Sequence, residues 1–231
     1  MSDALTEKIQ RDFDRLALLQ PVNWDHNNHY HGFLLQQLSP HCERILDIGC
    51  GTGVFTRLLA QRADRVTAVD LSAKMIEVAQ QRSQSYANID FQVADILQWQ
   101  FPFEYFDAIA SIATVHHLPL EVLLPKIQAA LKPGGKLVIL DLVESEGIQD
   151  LVSDGIAFPL NLTLQLLKNK RLRPTPEAIA AWQEHGMTDK YLTRSQAKQI
   201  YQQFLTEAQV RKHLFWRYSV VWEKSSPQQL N

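Results

Sequence analysis

The sequence predicts a single α/β domain with a largely parallel sheet covered by helices, and three observations carry that expectation. Short apolar runs alternate with helix-period segments from residue 44 to 142, the habit of a sheet built by helical crossovers. The glycine cluster DIGCGTG (47–53) falls between the first apolar run and the first helical segment, where such a cluster is informative. The 231 residues suit one core with some elaboration.

Taken in order, RILDIG (44–49) reads as a first strand and VFTRLLAQR (54–62) as the helix after it. RVTAVD (65–70) is a second strand. Ser72 then caps a helix in which Met75, Ile76 and Ala79 recur at helical spacing. IDFQVAD (89–95) is a third strand, and FDAIASIA (106–113) a fourth, almost continuously apolar as a strand buried on both faces should be. PLEVLLPKIQAAL (119–131) is helical, with Pro125 expected to kink it or mark its true start. KPGG turns the chain into a fifth strand, KLVILDLV (136–143).

Beyond it, residues 146–170 read as helical with a break near Pro159, and KRLRPTPEA (170–178) as a basic, proline-bearing loop. TRSQAKQIYQQFL (193–205) resumes a helix under a Thr193 cap, and residues 208–224 read as an antiparallel strand pair with Trp216 near the turn. The tail SSPQQLN is expected to be disordered. The parts are an N-terminal segment (1–43), a core (44–143), an insertion (144–192) and a closing helix with a strand pair (193–224).

Lysine plus arginine number 23 against 25 acids, a net charge of -2, so no field of one sign advertises a nucleic-acid partner. The start is acidic and no segment is apolar for 18 residues, so a soluble cytoplasmic protein without a membrane span is expected. Cys42 and Cys50 lack a CxxC pattern and are read as small core fillers.

The chemistry sits in DIGCGTG. Glycines at 49, 51 and 53 remove side chains so that the backbone can turn sharply and a ligand can lie against main-chain N–H groups. Asp70 ends the next strand, 21 positions after Gly49, where a carboxylate can accept both hydroxyls of a ribose. The spacing is G-x-G-x-G rather than the dinucleotide pattern G-x-G-x-x-G. Asp47 beside it would repel a pyrophosphate but attract the ammonium of an amino-acid-bearing cofactor.

DIGCGTG, VTAVDLS, VADIL, FDAIASIATVHHL and LKPGGKLVIL, in that order over residues 44–143, resemble the successive motifs of class I S-adenosylmethionine-dependent methyltransferases. The resemblance implies a Rossmann-like, seven-stranded, mostly parallel sheet with helices on both faces and the last strand antiparallel. It further implies an N-terminal helical lid and a helical, substrate-covering insertion after the fifth strand. S-adenosyl-L-methionine would be the cofactor. By similarity, Gly49, Gly51 and Gly53, with Cys50 among them, would pass near its methionine part, Asp47 near its ammonium, and Asp70 by its ribose. Leu71 and Met75 would flank the adenine, Asp95 and Ile96 would meet its edge and face, and Ser111 and Ile112 would lie near the sulfonium.

Methyl transfer needs a base only when the acceptor must lose a proton early, and histidine suits that task near neutral pH. His116, beside His117 after the fourth strand, is one candidate. NWDHNNHYHGFLL (23–35) supplies two more, His29 and His31, with Tyr30, in the expected lid. The rival reading of that stretch is a polar helix start capped by His26 or Asn27. A metal there would use Asp25, His26 and His29, but no HxxxH or cysteine cluster completes the set, so no metal is expected.

The place where nucleic-acid amino methyltransferases carry a Pro-Pro-aromatic run here reads SIATVHHL. No cysteine is placed as a nucleophile, and the basic run KNKRLRP reads as a solvated loop. A small-molecule acceptor, methylated at oxygen, nitrogen or carbon, is the resulting expectation, with RNA or protein as the rival acceptors. Phe158, Leu160, Leu162, Leu164, Leu166, Leu167 and Trp182 make the insertion apolar, which suits an apolar acceptor pocket, a homodimer interface or a cover over the sheet. A nicotinamide-dependent oxidoreductase and a cofactor-binding module without turnover are the alternatives from other classes.

Overall fold

The computed structural model describes residues 3–19, 23–170, 175–187 and 189–226. The chain opens with α1 (Asp3–Leu16), a 3-10 turn at Asn28–Tyr30 and α2 (His31–Gln37). Next come β1 (Cys42–Ile48), α3 (Val54–Ala60), β2 (Ala63–Asp70), α4 (Ala73–Arg82), β3 (Ile89–Val93) and β4 (Phe106–Ile112). A second 3-10 turn (Val115–His117) leads to α5 (Leu120–Ala130) and β5 (Leu131–Glu144). The insertion forms α6 (Ile148–Asn169) and α7 (Pro176–Gly186). The chain closes with β6 (Leu192–Thr193), α8 (Arg194–Phe204), β7 (Gln209–His213) and β8 (Arg217–Glu223).

The sheet order is β3-β2-β1-β4-β5-β8-β7, with two-residue β6 paired to β5 off that path. All pairings are parallel except β5 with β8 and β8 with β7. The seven-strand expectation therefore holds for the main path, and β6 adds an eighth short strand. Strand order reverses between β1 and β4, the crevice where open α/β sheets take their ligands.

Alternation along the central strands explains the sheet's two cores. Leu46, Ile48, Ile109, Leu137 and Ile139 face α5 and α8, whose Leu123, Leu124, Ile127 and Tyr201 complete one apolar layer. Ile45, Ala108, Ala110, Val138 and Leu140 face the other way, toward Leu34 and Leu59. A strand that buries both faces has no polar side to show, so its sequence reads as a continuous apolar run.

Several sequence expectations need correction. Pro125 lies inside α5 and does not start it; the helix begins at Leu120 with Pro119 as N-cap. Pro159 likewise sits within an unbroken 22-residue α6. The loop read at 170–178 yields to a helix at its end, because Thr175 Oγ1 accepts from the Ala178 N–H and Pro176 fills the first turn. KPGG belongs to β5: Gly134 (φ 78°) carries an irregular strand start, with Gly134 N–H donating to Lys224 O at 2.7 Å. Residues 171–174 of the basic loop and 227–231 of the tail lie outside the described residues. The Thr193 capping box and the Ser72 cap form as expected. Among the described residues no helix is long and apolar enough to cross a membrane.

Candidate functional site

A cleft of about 210 Å³ opens at the carboxyl edge of β1, β2 and β4, over the point where strand order reverses. Its wall is drawn from the ends of the strands and the turns that follow them. Gly49 and Gly51 come from the glycine loop, Asp70 and Leu71 from the end of β2, and Met75 from α4. Asp95 and Ile96 follow β3, and Ile112, Ala113 and Thr114 end β4.

The loop is held by hydrogen bonds that require its sequence. Gly49 N–H donates to Val69 O at 2.8 Å, which draws the loop across the end of β2. At φ 69°, a Cβ on Gly49 would stand 2.0 Å from Thr114 Oγ1, so glycine is needed for both conformation and space. Asp70 is 9% exposed, and its two carboxylate oxygens accept from the Gly51 and Ser72 N–H groups at 2.8 and 2.9 Å. Burial pushes its carboxyl above the usual range, against the pull of those N–H groups. Asp95 Oδ1 accepts from the Leu97 N–H at 2.9 Å, closing the turn after β3.

Other expected site residues stand behind the wall. Asp47 is buried, accepts from Thr56 Oγ1 at 2.6 Å, and is pushed up to about 7 by burial. A carboxyl in that state is not a full charge aimed at the cleft. Cys50 packs with Ala68 and Ile76, and Gly53 (φ 73°) caps α3 under Ala79 and Phe91. Ser111 Oγ donates to Ile48 O at 2.9 Å, tying β4 to β1. The structure thus brings Gly49, Gly51, Asp70, Leu71, Met75, Asp95, Ile96 and Ile112 to one cleft, and leaves Asp47, Cys50, Gly53 and Ser111 in its support.

The histidines divide differently from expectation. His29 and His31 do not line the cleft. His29 accepts from Trp24 Nε1 at 3.4 Å and meets Phe215 edge-on; His26 stacks on Phe215 at 5.3 Å. His31 packs on Phe55 and is pushed down to about 4 by burial. The capping role falls to neither His26 nor Asn27 but to Asp25, whose Oδ1 accepts from the Asn27 and Asn28 N–H groups at 2.8 Å. His116 also stands behind the wall, its Nδ1 2.6 Å from Asp141 Oδ1, and its neighbour His117 lines the cleft instead. Burial pushes His117 down to about 3.

The sequence reading missed Ile9 and Phe13 of α1 and Asn27, His117 and Leu118, which also line the cleft. The apolar residues of α1 at helical spacing were a signal for the first two. Of the insertion's apolar residues, Trp182 reaches the cleft, whereas Phe158, Leu160, Leu166 and Leu167 face outward and exposed. A pocket built from those leucines is therefore not what the insertion forms.

Residues 45–135 match a family model described as a methyltransferase domain. Curated relatives include an uncharacterised methyltransferase of Mycobacterium tuberculosis, 35% identical over 121 residues, covering 52% of this chain and 61% of the relative. A ubiquinone biosynthesis O-methyltransferase of Coxiella burnetii is 28% identical over 156 residues, 67% of each chain. Among solved structures, the N-methyltransferase NodS of Bradyrhizobium japonicum with S-adenosyl-L-homocysteine superposes with a TM-score of 0.58 at 19% identity, covering 96% of this chain and 99% of that one. That likeness is one of fold. The likeness to methyltransferases thus covers the core of the chain, the same stretch whose ordered motifs carry the resemblance. It spans about three fifths (61%) of the length of the first curated relatives it matches.

Proposed function

We propose that this chain moves a methyl group from S-adenosylmethionine to a small molecule by in-line displacement. The observation that carries the reading is the convergence of Gly49, Gly51, Asp70, Met75, Asp95 and Ile112 on one cleft at the switch point of the sheet. The residues present fit the cofactor. Two glycines offer bare backbone, Asp70 offers a carboxylate for ribose hydroxyls, and Leu71, Met75 and Ile96 offer an apolar slot for a purine. When bound, the cofactor supplies an activated methyl on a sulfonium. Asp47 acts through Thr56, stiffening the start of α3 beneath the loop.

The chain's own work is positioning and water exclusion, since an in-line displacement gains mainly from holding the nucleophile close and aligned. Ile9 and Phe13 from α1, with Trp182 from α7, form the apolar side of the cleft where an acceptor would lie. That lining supports a small, apolar acceptor, and the name of the Coxiella burnetii relative supports methylation at oxygen. No base is assigned to His29, His31 or His116, which stand off the cleft, and His117 is too weakly basic to serve as one.

Two measurements test the reading. Calorimetric titration should give one S-adenosylmethionine per chain and no heat with NAD; the reverse would make the cleft a nicotinamide site. Incubation with methyl-labelled cofactor and fractionated extract should then label small molecules. Label in RNA or protein would overturn the acceptor class, and binding without label in any fraction would leave a module without turnover.

A further inference from the structure

At the edge of the cleft, which His117 lines, three imidazoles converge on one carboxylate. His116 and His117 come from the turn after β4, His185 from the end of α7, and Asp189 from the segment beyond it. His117 Nδ1 lies 3.6 Å from Asp189 Oδ1, while His185 Nε2 and His116 Nε2 lie 3.7 and 3.9 Å from Asp189 Oδ2. All four side chains are only 5–7% exposed, so this is no surface cluster. One ligand atom each from His116, His117 and Asp189 fall within 4.8 Å of one another.

The separations exceed the roughly 2.7–3.2 Å of a hydrogen bond. They are close to the edges of a tetrahedron around an ion with bonds of about 2.0–2.2 Å, which run to roughly 3.3–3.5 Å. The outer face of the cluster has the matching form. His116 Nδ1 is 2.6 Å from Asp141 Oδ1, and His185 Nδ1 is 3.4 Å from Asp12 Oδ2. Two imidazoles therefore keep a carboxylate on Nδ1 and turn Nε2 toward Asp189, the arrangement by which proteins fix the tautomer and orientation of a metal-ligating histidine. His117 Nε2 is buried and has no hydrogen-bond partner among the described residues, and neither does Asp141 Oδ2.

We propose that His116, His117 and Asp189 form a binding site for a divalent transition-metal ion of the zinc type, with His185 packed beside the carboxylate. Imidazole nitrogens select zinc, cobalt, iron or nickel over magnesium and calcium, which prefer all-oxygen sets. Asp141 is a positioning residue behind His116, and Asp12 is one behind His185. The ion would fasten the segment after α7 to the end of β4, at the edge of the cleft where His117 and Trp182 stand. The site does not depend on methyl transfer, and its test needs no turnover.

The probe is cobalt(II), titrated into chelator-stripped full-length protein and followed by its visible ligand-field bands, then displaced by zinc. One equivalent with tetrahedral or five-coordinate bands is expected, and zinc at a hundredfold excess over its Kd should raise the thermal midpoint by roughly 5–10 °C. His117→Gln and Asp189→Asn should each weaken cobalt binding at least a hundredfold. Asp141→Asn should weaken it about 10–100-fold, while the His26→Gln/His29→Gln control leaves it unchanged. Absence of saturable binding, equal binding by Asp189→Asn, or loss in the control variant instead would overturn the site. Should the ligand variants fail to fold, paramagnetically shifted imidazole N–H resonances in the cobalt-loaded wild type decide: their absence refutes the proposal.

Discussion

Two histidine-rich regions of this molecule invite opposite readings in sequence and in space. WDHNNHYH gathers its histidines within a few residues, yet His26 and His29 pack in an aromatic cluster with Trp24, Tyr30 and Phe215, His31 packs on Phe55, and none of the three lines the cleft. His116 and His117 are separated from His185 by the whole of α5, β5 and α6, yet all three meet at Asp189 beside the cleft. Density along the chain measures neither chemistry nor proximity. What distinguishes the second region is its carboxylates: Asp141, Asp12 and Asp189 each face an imidazole nitrogen, whereas the first region offers indole, phenyl and amide groups.

If the first region is packing, its loss should cost stability and spare the cleft. The largest effect expected is for Phe215→Ala, which empties a fully buried ring site between Trp24 and His26. Unfolding in urea should show a loss of about 3–5 kcal/mol, with cofactor affinity in the folded fraction changed less than threefold; a collapse of affinity would break the comparison. Next is the acid sensitivity of His31, whose pKa falls from 6.5 to about 4 on folding. Because the unfolded chain takes up that proton from about pH 6.5 downward and the native chain only near 4, the contribution to stability drops across that window by about 3 kcal/mol. Removing the titration with His31→Leu should lessen the slope of the stability profile between pH 6.5 and 4, leaving the part that His117 contributes.

Asp70→Ala belongs to the other side of the comparison. It should weaken S-adenosylmethionine binding by roughly 1.5–3 kcal/mol in calorimetry, with a smaller effect on stability than Phe215→Ala; unaltered affinity would remove Asp70 from the site. The smallest effect is expected for His29→Ala, which gives up one 3.4 Å bond from Trp24. It should cost about 1 kcal/mol or less and leave labelled methyl transfer within threefold of wild type. A large loss of turnover would return His29 to the acceptor site.

The core was legible because its signals are local. Glycines at backbone angles that side chains rarely adopt, strands that bury both faces and helices with side-chain caps announce themselves within a few residues, as Gly49, β4 and the Thr193 box show. Of the cleft-facing residues, the glycines and Asp70 followed from such signals, whereas Leu71, Met75, Asp95, Ile96 and Ile112 were implied by the resemblance. Pro159 was misread as a break, and Pro125 does not start its helix, because tertiary packing holds a helix through a proline that local propensity would break. His117 was passed over for His116 because adjacent residues on a turn point in different directions, and only the fold says which one meets the cleft.

The sequence by itself therefore determined the α/β class, the glycine loop and Asp70 at the end of β2, since each rests on short-range sterics and hydrogen bonding. The tertiary structure alone decided that Asp47, Cys50 and Ser111 serve as support, that α1 and α7 bring Phe13 and Trp182 to the cleft, and that His185 and Asp189 face His116 and His117. Those outcomes depend on how separate elements dock against the sheet, and no local pattern encodes the distance between side chains that the chain brings together from far apart.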